Sequence, residues 1–289
     1  MARNMHKYEE LTPYEFDREK ERAPIIYVGA GPLEYHEECN ILGLDTNKGY
    51  DWCLAAAERT GGIVFPMLPV APAGGIPHKN RQQLREMYKL PRYREHYEEN
   101  FPSLYPSMFF SREACWAVYE EMLEMFADEL GFKLCVFMGT HNPAGRLIKE
   151  IVAVNNGVEP PSPYSEEVFY GDFHGMRVIA ANSLDYCRAF LKDFNEKNGI
   201  PTNLHGGVWE MAMNYAINPD YYHPEYLDET KYPQHFGALQ EDYSENANRP
   251  CKKEFTLFKP EFAQEIKQVV VGNLVKDVLK NYKEITENK

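Results

Sequence analysis

Apolar residues in this chain fall into short runs that alternate with stretches of helical period, and the alternation predicts an α/β protein. Thr12-Pro13-Tyr14-Glu15 reads as a helix start, with a threonine cap, proline at the first helical position and a glutamate able to bond back to the cap. Pro24-Ile25-Ile26-Tyr27-Val28-Gly29 follows, a compact apolar run closed by glycine, which predicts a buried strand ending in a loop. After a polar loop the pattern is helical from Tyr50 to Arg59. Gly61-Gly62 stops it, and Ile63 to Pro66 gives a second apolar run.

Further along, Ser111 is placed to cap a helix whose Cys115, Val118, Met122, Phe126 and Leu130 recur at spacings of three and four, with Gly131 as its stop. A third strand is predicted at Lys133 to Met138. Directly behind it stands Gly139-Thr140-His141-Asn142-Pro143, so His141 lies at the carboxyl end of a strand, where open α/β sheets place ligands. A strand is expected at Met176 to Ala180 and a helix from Leu184 to about Asn195. The loop Asn203-Leu204-His205-Gly206-Gly207 then precedes a helical stretch from Trp209 to Ala216. An amphipathic closing helix is expected over Pro260 to Tyr282. The region from about 71 to 106, rich in Pro, Gly, Tyr and charge, has no sustained period and reads as an insertion or lid within a single domain spanning residues 1–289.

Composition narrows the classes of function. A net charge of −13 opposes nucleic-acid binding, which calls for a basic stripe to neutralise phosphates. No run approaches the roughly 18 apolar residues of a membrane helix, and MARNMHKYEE has no apolar centre of the secretory kind, so the expectation is a cytoplasmic protein without a membrane partner. Six cysteines (Cys39, Cys53, Cys115, Cys135, Cys187, Cys251) are scattered singly with no C-x-x-C pair. They suit a reducing compartment and small core positions and argue against a cysteine zinc site.

The chemistry-bearing residues are Glu34-x-His36, Asp45 and His141. Residues at i and i+2 of an extended segment point the same way, and a mixed carboxylate and imidazole set suits zinc, manganese or ferrous iron. On residue types alone the alternative is a surface glutamate beside a hydrogen-bonded histidine, because Glu-x-His recurs by chance.

The stretch APIIYVGAGPLEYHEECNILGLDT resembles the opening signature of the creatininase family, a strand followed by Glu-x-His and an Asp nine residues after the His. Three further stretches resemble that family in the same order. Tyr105-Pro106-Ser107-Met108 is similar to a Phe-Pro-Gly-Thr segment, Lys133 to Ala144 to a strand ending in Asn-Gly-His-Gly-Gly-Asn, and His205-Gly206-Gly207-Val208-Trp209-Glu210 to His-Ala-Gly-x-x-Glu. The resemblance implies a three-layer α/β/α sandwich with a mostly parallel central sheet, assembled as a homo-oligomer, often a hexamer. It implies one or two divalent metal ions, zinc foremost with manganese or iron as alternatives. Glu34 and His141 would bind one ion, His36 a second, and Asp45 would bridge. Glu210 would be a further ligand or the carboxylate that handles protons, and His205 a general acid or hydrogen-bond donor near the leaving group.

The implied activity is a metal-dependent hydrolase in which a metal-bound hydroxide attacks a carbonyl of a small polar, cyclic substrate, cleaving an amide C–N bond. An alternative is C–C ring opening of an inositol-derived diketone of the 3-dehydro-scyllo-inosose type, and a third reading is a binding protein that kept the fold without the chemistry. The departures bear on this choice. Creatinine hydrolases carry a metal-binding glutamate two residues after the histidine matching His141, where this chain has Pro143, and Asn142-Pro143-Ala144 replaces Gly-Gly-Asn.

Other residues have plainer readings. Glu37 and Glu38 read as charges outside the ligand set, and Asp172 with His174 as a structural pair. His78, Lys79, Arg81 and Arg92 in the insertion read as solvated, and Trp52, Trp116 and Trp209 as packing anchors, with Trp209 the nearest in sequence to His205.

Overall fold

A computed structural model of the chain describes residues 4–73, 107–162, 167–201, 205–232, 234, 238–243 and 250–287. The insertion expected over 71–106 therefore lies outside the described residues from 74 onward, as do His78, Lys79, Arg81 and Arg92.

Helix α1 (Pro13–Arg22) starts on the predicted cap: the Thr12 side chain accepts from the Glu15 amide, and the Glu15 carboxylate accepts from the Thr12 amide at 2.9 Å. Thr12→Ala removes this reciprocal cap at a cost of about 1 kcal/mol. For a chain of this size the melting temperature is expected to fall by roughly 2–4 °C in a thermal scan.

Strand β1 (Ile25–Ala30) leads through a loop into α2 (Leu44–Thr60), and β2 (Ile63–Val64) returns beside β1. Helix α3 (Arg112–Glu124), capped by Ser111, continues into a single wider helical turn, Met125–Glu129, and leads to β3 (Leu134–Gly139) and α4 (Asn142–Asn155). Strands β4 (Phe169–Phe173) and β5 (Met176–Asn182) form a hairpin, followed by α5 (Arg188–Asn198), α6 (Val208–Ile217), the short α7 (Lys252–Phe255) and the long α8 (Pro260–Glu287).

The strands make one sheet in the order β2-β1-β3-β5-β4, parallel except for β4. β1 and β3 are buried along their whole length, which explains why they read as continuous apolar runs rather than as alternating ones. Successive residues still divide between two cores. Ile25, Tyr27, Val136 and Ile179 face α2, α6 and α8, while Ile26, Val28, Phe137 and Val178 face α3 and α4. The result is a three-layer α/β/α sandwich. All six cysteines are free and buried, as expected of small core residues. No helix among the described residues is long and apolar enough to cross a membrane.

The helix expected from Leu184 begins at Arg188, after a short turn over Ser183–Tyr186, and the closing helix runs on to Glu287, but two elements differ more deeply from the sequence reading. Helix α2 begins at Leu44, not Tyr50, which moves Asp45 from the loop into the first helical turn. There its carboxylate faces the positive end of the helix dipole. Strand β4 was not anticipated. It pairs with β5 through a tight turn in which His174 and Gly175 both take positive φ (49° and 82°), as two-residue hairpin turns require. His174 bonds Asp128 there at 2.8 Å, at the amino end of β5 and so at the opposite edge of the sheet from the carboxyl strand ends.

Candidate metal centre

The register of the parallel strands aligns Ala30, Gly139 and Asn182 in one row at their carboxyl ends. The residues singled out from the sequence gather just beyond that row. Glu34 and His36 come from the loop after β1, Asp45 from the start of α2, His141 from the turn between β3 and α4, and His205 and Glu210 from the segment that opens α6.

Each segment is pinned. The Thr140 hydroxyl lies 2.7 Å from the Asp45 carbonyl and 3.0 Å from that of Ala30, tying the start of α2 to β1 and β3. Thr46 Oγ1 bonds the Gly31 carbonyl at 2.8 Å. In the β1 loop the Glu34 amide donates to Leu42, Tyr35 to Ser107 Oγ at 2.9 Å, and Leu33 pairs with Met108 across an antiparallel bridge. Ser107 and Met108 of the resembling segment thus lie against the ligand loop, whereas Tyr105 and Pro106 fall outside the described residues. Asn40 Nδ2 donates to the His36 carbonyl at 2.7 Å and its Oδ1 accepts from Asn214 Nδ2 at 3.0 Å, joining that loop to α6. Gly206, at φ 74°, packs so closely on the His36 backbone that a Cβ there would stand 2.9 Å from the His36 carbonyl carbon.

Inside this frame Glu34, His36, Asp45 and Glu210 are at most 4% exposed. His141 Nδ1 lies 2.9 Å from Glu34 Oε2 and 3.6 Å from Asp45 Oδ2; His36 Nε2 lies 3.8 Å, 3.6 Å and 3.5 Å from oxygens of Glu34, Asp45 and Glu210. His205 Nε2 stands 3.3 Å from Glu34 Oε1, and its ring stacks on His36 with centroids 4.3 Å apart. Glu210 Oε2 accepts from the Gly206 amide at 2.6 Å, so the loop and the helix it opens hold each other.

Three overlapping groups bring one donor atom from each residue within 4.8 Å of the others: Glu34/His36/His205, Glu34/Asp45/His141 and His36/Asp45/Glu210. Glu34 Oε2, Asp45 Oδ2, His141 Nε2 and His205 Nε2 are buried with no hydrogen-bond partner. The 2.9 Å approach of His141 to Glu34 is therefore a convergence of two side chains on a shared point, not an aligned hydrogen bond. Buried carboxylate oxygens without donors are costly unless a cation satisfies them, and a set of imidazoles and carboxylates suits zinc or manganese. The residues present fit a divalent ion.

The electrostatics point the same way. Burial works against charge on His36, but Glu210 and Asp45 overcome it and push its pKa up to about 10. Burial also opposes ionisation of Glu34, yet His141 and His205 outweigh it and hold that carboxyl well below its usual range. The His36 Nδ1–H donates to the Glu34 backbone carbonyl at 3.0 Å, which fixes the ring and aims Nε2 at the three carboxylates.

Comparison with known proteins adds the fold. Neither a protein-family model nor a curated protein sequence matches the chain. Solved structures do. A structure of creatinine amidohydrolase (creatininase) superposes with a TM-score of 0.63 at 15% identity, covering 96% of this chain and 98% of the other. The chain has the creatininase fold. A creatininase mutant of Zn-Zn type gives 0.64 at 15% identity over 97% and 99% of the two chains, and a putative creatinine amidohydrolase from Bacteroides fragilis gives 0.60 at 11% identity over 95% of each. The manganese form of creatininase is similar at 0.61, with 15% identity over 96% and 98%.

Sequence reasoning missed two residues that stand at this creatininase-fold site. Lys48, three residues after Asp45 on α2, is 1% exposed, with Nζ 2.6 Å from Asp45 Oδ1, 3.7 Å from Glu210 Oε1 and 5.8 Å from the centre of the Trp209 ring. Burial disfavours its charge, but Asp45 and Glu210 outweigh that and keep it an ammonium. The signal was present: Asp45, Lys48, Gly49, Trp52 and Ala56 share one helical face at spacings of three and four, and that face is buried. Phe109, whose ring centre is 5.8 Å from that of His141, was also missed. Trp52 and Trp116 anchor the two cores as expected.

Proposed function

We propose that this chain is a divergent member of the creatininase family and acts as a metal-dependent hydrolase on a small polar substrate bearing a carbonyl. The observation that carries this reading is the convergence of Glu34, Asp45 and His141, with their orphaned buried atoms, at the carboxyl ends of β1 and β3. Those three side chains would hold the ion. A divalent ion there supplies a polarised carbonyl and a water whose pKa is lowered toward neutrality.

The remaining residues have roles their positions suit. Glu210 Oε2 is fixed by the Gly206 amide while Oε1 faces the His36 ring, which leaves one carboxylate edge to take and return a proton. The His205 side chain is one-third exposed, the most open of the six, and so is placed to reach a leaving group arriving from solvent. His36, held on the Glu34 carbonyl, orients rather than moves.

Amide hydrolysis is the first reading of the bond cleaved. C–C ring opening of an inositol-derived diketone is favoured by one observation: α4 starts with Asn142 and Pro143 and carries no acidic residue in its first turn, where creatinine hydrolases carry a ligand. Purified protein should contain zinc or manganese, lose hydrolysis on chelation and regain it when the metal is restored. Lactams related to creatinine and inositol-derived diketones, assayed side by side, separate the two bonds. A protein that neither carries metal nor changes in melting temperature when zinc is added would remove the proposal.

A further inference from the structure

We infer that the Lys48 ammonium takes the place of a second divalent cation, so that the centre holds a single ion, between Glu34, Asp45 and His141. The inference rests on the metal-hydrolase reading above and concerns how many ions that site accepts.

Three observations carry it. A carboxylate that bridges two ions through both oxygens commits one to each, and the two oxygens of Asp45 are already divided. Oδ2 faces His141 and His36, whereas Oδ1 receives Lys48 Nζ at 2.6 Å, the short distance of a charge-assisted bond. The ammonium also lies 3.7 Å from Glu210 Oε1, and so stands against two of the three donors of the His36/Asp45/Glu210 group.

The distribution of unsatisfied atoms agrees. Glu34 Oε2 and Asp45 Oδ2, which face His141, lack hydrogen-bond partners, whereas no oxygen of Glu210 and no nitrogen of His36 is orphaned among the described residues. The unsatisfied atoms gather on Glu34, Asp45, His141 and His205, and none lies on the two residues, His36 and Glu210, that a second ion beside Asp45 would need. Lys48 also has little room to withdraw. It is 1% exposed beside the Trp209 ring, and the next residue, Gly49, rests on the backbone of Gly29.

The competing account is a purely structural ion pair, in which Lys48 steadies α2 while two ions bind as usual. Counting ions separates the two. Protein saturated with zinc and freed of excess is assayed for zinc per chain by mass spectrometry, with the sites located by anomalous diffraction. Wild type is expected to hold one zinc, between Glu34, Asp45 and His141. Lys48→Met, which keeps the length and removes the charge, is expected to hold two. Glu210→Gln is expected to keep its single zinc, and Glu34→Gln to lose it.

Two zinc ions in the wild type overturn the inference while leaving the hydrolase reading intact, as does a folded Lys48→Met protein that stays at one. Loss of the ion in Glu210→Gln overturns it too, since Glu210 would then be a ligand of the only ion. If Lys48→Met does not fold, the wild-type count and Glu210→Gln decide. No zinc in the wild type removes the hydrolase reading itself.

Discussion

Asp45→Asn is expected to lower hydrolysis by about three orders of magnitude or more, because losing the ion forfeits several kcal/mol of transition-state stabilisation. Asp45 is where the site's demands meet: Oδ2 faces His141 and His36, and Oδ1 receives Lys48. Asparagine keeps the size, loses the charge and offers one oxygen instead of two. The same change breaks a buried ion pair, which costs about 3–5 kcal/mol when a partner is simply removed. Glu210 remains 3.7 Å from the ammonium, so the lower end applies and the melting temperature should drop by roughly 6–12 °C. Zinc content, kcat/KM and a thermal scan check the three effects separately. Asp172→Asn, altering an exposed carboxylate at the far edge of the sheet, is the control and should change none of them. An Asp45→Asn protein with a full complement of zinc and activity within tenfold of wild type would take Asp45 out of the centre.

The second large effect is steric. At Gly29 an added Cβ would lie 2.7 Å from the carbonyl oxygen of Gly49 and 2.8 Å from its Cα, and both obstacles are backbone. A side chain could swing aside, but here the whole of α2 must shift from β1. Overpacking a well-filled core costs typically 1–3 kcal/mol, and an immovable neighbour puts Gly29→Ala at about 3 kcal/mol, or roughly 6–12 °C in melting temperature. The displacement would carry Asp45 and Lys48 with it, so zinc affinity should fall although no ligand has been touched. A variant melting within 2 °C of wild type would mean that this contact is looser than it looks.

How legible the molecule was depended on which residues did the signalling. The start of α1 could be read to the residue because Thr12, Pro13 and Glu15 act locally, and β1 and β3 could be placed because burial on both faces makes each a continuous apolar run. The start of α2 could not. Gly43-Leu44-Asp45-Thr46-Asn47-Lys48-Gly49 is poor in helix formers, its cap glycine offers no side-chain acceptor, and the turn is held instead by Thr140 and Thr46 bonding to distant backbone. The same polar letters that read as a polar loop form much of the buried wall of the site. β4 was missed for another reason: Gly171 and Phe173 face inward and Tyr170 and Asp172 outward, an alternation too short to stand out beside the stronger β5. Glu34, His36, Asp45, His141, His205 and Glu210 could be grouped in advance only through their motif resemblance, since nothing in their spacing says that the loop after β1 meets the start of α6.

The cover over α2 comes late in the chain. One face of the sheet is closed by α6 and α8, whose Val208, Met213, Ile266, Val270 and Leu274 share a core with Trp52 and Cys53. The Asn40–Asn214 bond likewise waits for α6. During synthesis, Asp45 and Lys48 leave the ribosome long before the surfaces that bury them, and contacts of such long sequence separation form slowly. An ion bound at this centre would thus be received by a finished scaffold. It cannot serve as the nucleus around which the chain folds, as zinc does in small fingers that are unfolded without it.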